Sequence, residues 1–130
     1  MKALGPGLRR DDGFEASRMT DGTAHLEQGH HVALSITRAT PADLDTVAPL
    51  FDLYRVFYGK PSDPALARGF IEARMMRGES VILLADVDGK ATGFTQLYPA
   101  FSSVSATRTW ILNDLLVLPE ARRQGVARAL

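Results

Sequence analysis

The sequence contains no cysteine, which excludes a disulfide framework, a thiolate metal site and a cysteine nucleophile, and fits a reducing, cytoplasmic setting. It also has no charge excess: fifteen Lys and Arg balance fifteen Asp and Glu. No global field draws the chain to nucleic acid or to an anionic membrane, so neither is expected as a partner, and any anion site must be local. Long apolar runs are missing as well. Val81 to Ala85 and Leu115 to Leu118 fall far short of the roughly 20 residues that span a bilayer. Met1 to Gly7 starts with a positive charge but has no apolar core behind it, so a signal peptide is not expected. There is no internal repeat or heptad, no Gly-Lys-Ser/Thr of a P-loop and no Gly-x-Gly-x-x-Gly of a dinucleotide fold, and nucleotide hydrolysis is therefore not expected.

What is present is a folded-protein composition of 130 residues, 45% hydrophobic and 23% charged, enough for one domain. Residues 1 to about 32 hold five glycines, a proline and few large apolar side chains. They bury too little to offset the backbone entropy of ordering, so a disordered tail is expected there. In Val32 to Arg38, Val32, Leu34 and Ile36 alternate at period two, which predicts the first strand. Thr40-Pro41-Ala42-Asp43 reads as a helix start. Leu44, Val47, Ala48, Phe51, Tyr54, Val56 and Tyr58 follow near helical spacing, with Pro49 expected to kink or interrupt the rod and Gly59 to end it. Ser62-Asp63-Pro64 opens a second helix that runs to Gly78. Val81 to Val87 and Ala91 to Phe101 flank Asp88-Gly89, a hairpin signal. A last apolar run, Trp110 to Leu118, is stopped by Pro119, after which Glu120 to Leu130 is expected to be helical.

The junction Val117-Leu118-Pro119-Glu120-Ala121-Arg122-Arg123-Gln124-Gly125-Val126-Ala127 carries the chemistry. A glycine-containing turn that opens a helix aims unpaired N–H groups and the positive helix end at an anion such as a pyrophosphate. Gly125 allows close approach, Ala127 is small, and Arg122, Arg123 and Arg128 add cationic charge. Here the sequence resembles the GNAT family of acetyl-coenzyme A dependent N-acetyltransferases, whose signature is Arg/Gln-x-x-Gly-x-Gly/Ala after a strand ending in Val-x-Pro. Arg122, Gly125 and Ala127 occupy the signature positions. The resemblance covers roughly residues 33 to 130, and implies an α/β (α+β) fold with a mixed, mostly antiparallel sheet and two helices after the first strand.

The resemblance also implies direct transfer of acetyl from acetyl-CoA to an amine, in a ternary complex with no covalent enzyme intermediate. Backbone groups of Leu115, Leu116 and Val117 would hold the pantetheine arm. Residues Arg122, Arg123, Gln124, Gly125, Val126, Ala127 and Arg128 would hold the diphosphate. Related enzymes often carry a glutamate as base where this chain has Asn113, which cannot accept a proton. Neighbouring Asp114 then does the work, unless a water chain does or the amine arrives neutral; Asp114 can equally be a structural carboxylate that pairs with an arginine or caps the sheet edge. Tyr54, Phe57 and Tyr58 lie where the resembling enzymes bind the acceptor, although aromatics at this spacing also build cores. The acceptor, a small molecule or a peptide amine, is not specified.

The family's domain normally continues beyond the point where this sequence stops, with further strands and a tyrosine that protonates the departing thiolate. Only the amino-terminal half is therefore expected, with Leu112, Leu115, Leu116 and Val117 along an unpaired sheet edge open to a homodimer or to completion by another chain. An inactive fragment serving as an interaction module is the alternative to an enzyme. His25, His30 and His31 lack supporting carboxylates, and no metal site is expected.

Overall fold

The computed structural model describes residues 2–3, 22–27 and 31–130. Strands β1 (Lys2–Ala3), β2 (Gly22–Glu27) and β3 (His31–Arg38) precede helices α1 (Leu44–Phe57) and α2 (Pro64–Met76). Strands β4 (Val81–Val87), β5 (Lys90–Ser102) and β6 (Thr107–Val117) follow, and then the short helix α3 (Val126–Ala129). One sheet runs β1-β6-β5-β4-β3-β2, and every described pairing is antiparallel.

The expected disordered tail is corrected for two segments. Gly22–Glu27 pairs with β3, and Lys2–Ala3 pairs with Ile111 and Leu112 on β6. A composition argument counts side-chain burial, whereas a sheet edge recruits any extended backbone through its unpaired N–H and C=O groups. The rest of residues 1–30 lies outside the described residues. The wholly open edge is corrected by the same pairing, since Leu112 has a neighbour in Lys2, while Leu115 to Val117 have none among the described strands.

Helices α1 and α2 cover one face of the sheet. Val47, Leu50 and Phe51 of α1 and Ala67 and Ile71 of α2 pack on Ile82, Leu84, Phe94 and Leu116. On the other face, Leu34, Ile36, Leu83, Leu97 and Trp110 pack with Ala121 and Val126 from the carboxy-terminal segment. The expected hairpin is present: Asp88 (φ 52°) and Gly89 (φ 84°) both adopt the left-handed conformation that a tight two-residue turn needs. Pro49 lies inside α1 without ending it. No helix among the described residues is long and apolar enough to cross a membrane.

The link between the helices is held by Asp52. Its carboxylate accepts from Ser62 Oγ at 2.6 Å and from the Asp63 amide at 2.8 Å, and Asp63 then caps α2 by accepting from Leu66 N at 3.1 Å. Asp63→Ala leaves that amide without its acceptor and is expected to cost about 1 kcal/mol. A urea unfolding midpoint measures the loss.

Candidate active site

A β-bulge decides where the site forms. On β6, Asp114 pairs with Gln96 but Leu112 pairs with Leu97, so Asn113 is the extra residue. Strand side chains alternate between faces, and one inserted residue reverses the alternation beyond it. Before the bulge, Trp110 and Leu112 face the carboxy-terminal side of the sheet; after it, Leu116 faces the helices. The bulge therefore turns Asp114 toward α1 instead of leaving it on the face of Trp110 and Leu112. Tyr54 of α1 donates its hydroxyl to the Asn113 carbonyl at 3.1 Å, which ties the helix to the bulge.

Asp114 is only 1% exposed. One carboxylate oxygen accepts from Gln96 Nε2 at 2.6 Å and the other from the Asn113 side-chain amide. Ser80 Oγ donates to Gln96 Oε1 at 2.8 Å, which orients the Gln96 amide with its nitrogen toward Asp114. The partners are thus two amides; no arginine pairs with this carboxylate among the described residues, which corrects that part of the structural reading. Burial pushes the Asp114 pKa above the usual 3.8, against the lowering effect of the hydrogen bonds from Asn113 and Gln96. A carboxylate with a raised pKa beside a cleft is suited to proton transfer.

The cleft has a volume of about 280 Å³ and is lined by Tyr54, Tyr58, Tyr98, Asn113 and Asp114, with Phe51, Phe70, Arg55 and Lys60 completing it. Tyr54 and Tyr58, expected at the acceptor site, are therefore brought to the same cleft as Asp114, while Phe57 is not among its lining residues. Burial, and then the Asp114 charge, push both Tyr54 and Tyr98 up to about 12, so both phenols stay protonated at neutral pH. Sequence reasoning missed Ser80, Tyr98, Arg55, Lys60 and Gln96. The signal for Gln96 was available: it shares a strand face with Phe94 and Tyr98 in an apolar run, where a polar residue needs a buried partner.

At the end of β6, the expected helix from Glu120 to Leu130 is corrected. Pro119–Ala121 forms a 3-10 turn, and the α-helix begins only at Val126. Arg123 (φ 66°) and Gly125 (φ 78°) are both left-handed, which breaks any continuous helix. The intrahelical bonds start with Ala129 N to Gly125 O at 3.0 Å and Leu130 N to Val126 O at 2.9 Å. The amides of Gln124, Gly125, Val126 and Ala127 have no acceptor among the described residues. Val126 is buried and anchors the turn, while Arg122, Arg123, Gly125, Ala127 and Arg128 are exposed. Four adjacent free amides with arginines around them fit a diphosphate.

Along β6, Leu118 N donates to Thr92 O at 2.8 Å. The antiparallel alternation then turns the backbone groups of Leu116 toward β5 and those of Leu115 and Val117 outward. Of the three expected pantetheine contacts, Leu116 is thereby corrected to a core residue, and the Val117 carbonyl already accepts from Arg122 Nε at 3.1 Å. Among the described residues no cluster of His, Asp or Glu could hold a metal; the side chains of His25 and His31 and all of His30 lie outside the description.

A family model described as "Acetyltransferase (GNAT) family" matches residues 47–130. The chain belongs to the GNAT acetyltransferase family. This GNAT chain is 50% identical over 97 residues to an uncharacterized N-acetyltransferase, YhfO, of Bacillus subtilis, covering 75% of the present chain and 65% of that protein. It is 34% identical over 98 residues to a probable acetyltransferase of Haemophilus influenzae, covering 75% of this chain and 67% of the relative. A solved structure of a probable acetyltransferase matches with a TM-score of 0.68 at 55% identity, over 71% of this chain and 62% of that one. The GNAT chain thus spans about two thirds of the length of the relatives it matches.

Proposed function

We propose that this chain carries the acetyl-CoA half of an N-acetyltransferase that acetylates a primary amine by direct attack in a ternary complex. The observation that carries the reading is the left-handed Gly125 with the unpartnered amides of Gln124, Gly125, Val126 and Ala127 around it. In this reading those amides hold the diphosphate, with Arg122, Arg123 and Arg128 supplying positive charge. The outward backbone groups of Leu115 and the Val117 amide hold the pantetheine arm as an added strand would, while the Val117 carbonyl orients Arg122. When bound, acetyl-CoA would supply a thioester: the amine nitrogen forms the new C–N bond as the C–S bond breaks, and the coenzyme leaves as a thiolate that takes a proton from solvent. Asp114 takes the amine proton, directly or through water; its place in the lining of the cleft, on the face that the Asn113 bulge turns toward α1, supports that role. Tyr54 and Tyr58 contact the acceptor.

Calorimetric titration with acetyl-CoA tests the reading, because the diphosphate turn lies wholly within this chain. Saturable binding is expected. Gly125→Val replaces a residue at φ 78° with a β-branched one that does not tolerate that conformation, and is expected to weaken binding by on the order of 100-fold, as loss of two charge-assisted contacts would. No binding by the parent chain, or equal binding by the variant, overturns the assignment.

A further inference from the structure

The cleft beside Asp114 is lined by two cations that no carboxylate among the described residues hydrogen-bonds. Arg55, in the last turn of α1, and Lys60 just beyond it both line the cleft. Arg55 Nη1 is shielded from water and has no hydrogen-bond partner, and no acceptor among the described residues takes any other N–H of its guanidinium or the Lys60 ammonium. Asp52, three residues earlier on α1, feels the Arg55 charge and offsets part of it, but its carboxylate hydrogen-bonds Ser62 and Asp63 rather than the guanidinium. A guanidinium left unpaired and partly buried is an unusual expense for a fold unless an anion completes it.

The remaining walls define the rest of the occupant. Phe51 and Phe70 stack with centroids 5.2 Å apart, and with Tyr98 they give the cleft an apolar side. A volume of about 280 Å³ lies at the lower limit for small-molecule pockets, about 300–1,000 Å³. Asp114 stands on the sheet side, and the two cations stand on the helix side.

We propose that the acceptor is a small amine with an apolar body and its own carboxylate, the carboxylate bound by Arg55 and Lys60 and the amine directed toward Asp114. The planar guanidinium suits a carboxylate in a two-pronged contact. Polyamines and other multiply charged cations are disfavoured, since their second ammonium group would meet Arg55 or Lys60. The inference rests on the acetyltransferase reading for the chemistry, but the carboxylate site can be tested without turnover.

The test uses four probes: L-phenylalanine, phenethylamine, putrescine and O-phosphoethanolamine. Thiol release from acetyl-CoA is measured with each, and binding of each is followed by ligand-observed NMR in the absence of acetyl-CoA. L-Phenylalanine is expected to bind and to react best. Arg55→Gln, which keeps the aliphatic stem, is expected to weaken L-phenylalanine binding and to raise its KM by on the order of tenfold or more with kcat little changed. Phenethylamine should be insensitive to the substitution, and Arg55→Lys should recover part of the loss. If no probe releases thiol but L-phenylalanine binds in an Arg55-dependent way, the carboxylate site stands, and the acetyl-CoA titration alone decides the transferase reading. Preference for phenethylamine or putrescine overturns the proposal, as does preference for O-phosphoethanolamine, which would make the site one for phosphate. L-Phenylalanine binding that is absent or indifferent to Arg55→Gln also overturns it.

Discussion

Asp114→Asn is expected to lower turnover by on the order of 100-fold or more, the size of effect a positioned general base supplies, while leaving the fold intact. The fold survives because the surrounding network can reverse. An asparagine at this position can keep accepting from the Asn113 amide and donate to Gln96 Oε1; the flipped Gln96 amide then donates to Ser80 Oγ, which is free to accept once its proton points elsewhere. No buried polar group is left unpaired. The pH dependence adds a second readout. Burial raises the Asp114 pKa above 3.8 in the folded chain, so the folded state binds this proton more tightly than the unfolded state does. This group's contribution to stability is therefore greatest below pH 3.8 and is lost as pH rises through the folded value. The asparagine variant is expected to melt at or above the parent temperature at neutral pH, with the difference shrinking at acid pH. The parent rate should rise with pH as Asp114 ionises, and the variant should lose that rise. An unchanged rate would move proton removal to a water chain or to an amine that arrives neutral.

Gly93→Ala is expected to be the most damaging small change to stability. A Cβ at Gly93 would lie 2.5 Å from the Leu116 carbonyl oxygen and 3.3 Å from Val117 Cα. Those are backbone atoms of the paired strand, so no side-chain rotation relieves the clash, and β5 must move away from β6. Overpacking of this kind costs roughly 1–3 kcal/mol, and in a domain of about 100 residues each kcal/mol lowers the melting temperature by about 4–8 °C. The displacement would also disturb the end of β6, where Leu118 N meets Thr92 O at 2.8 Å and Arg122 meets the Val117 carbonyl at 3.1 Å. Weaker acetyl-CoA binding is therefore expected with the lower melting temperature. Circular dichroism melts and the same calorimetric titration measure both, and a variant equal to the parent in both would refute the close-contact argument.

The local elements were legible because short-range chemistry writes them. Asp88-Gly89 needs two left-handed residues and has them, Asp63-Pro64 caps and opens α2, and Leu44, Val47, Ala48 and Phe51 share the buried face of α1 with Tyr54 packed against it, although Val56, expected on the same stripe, is exposed. The Gly125 turn was equally legible, since a left-handed residue with free amides after it is a property of a few consecutive residues. The helix expected across Glu120 to Leu130 failed for the complementary reason. Its alanines and arginines favour helix, but Ala121 and Val126 pack into the core with Trp110, and the intervening turn bends to let both reach it. The strands at Lys2–Ala3 and Gly22–Glu27 were not legible because backbone pairing at a sheet edge asks little of the side chains.

The sequence by itself determined the two helices, the hairpin, the cap at Asp63 and the glycine turn at Gly125, because propensity, turn chemistry and hydrophobic period act over a few residues. Only the tertiary structure decided which face Asp114 takes. That depends on the register of β6 against β5, where the extra Asn113 reverses the alternation and places a carboxylate, Tyr54, Tyr58 and the unpaired Arg55 around one cleft. Register is set by the packing of both sheet faces at once, and no short stretch of sequence contains that information.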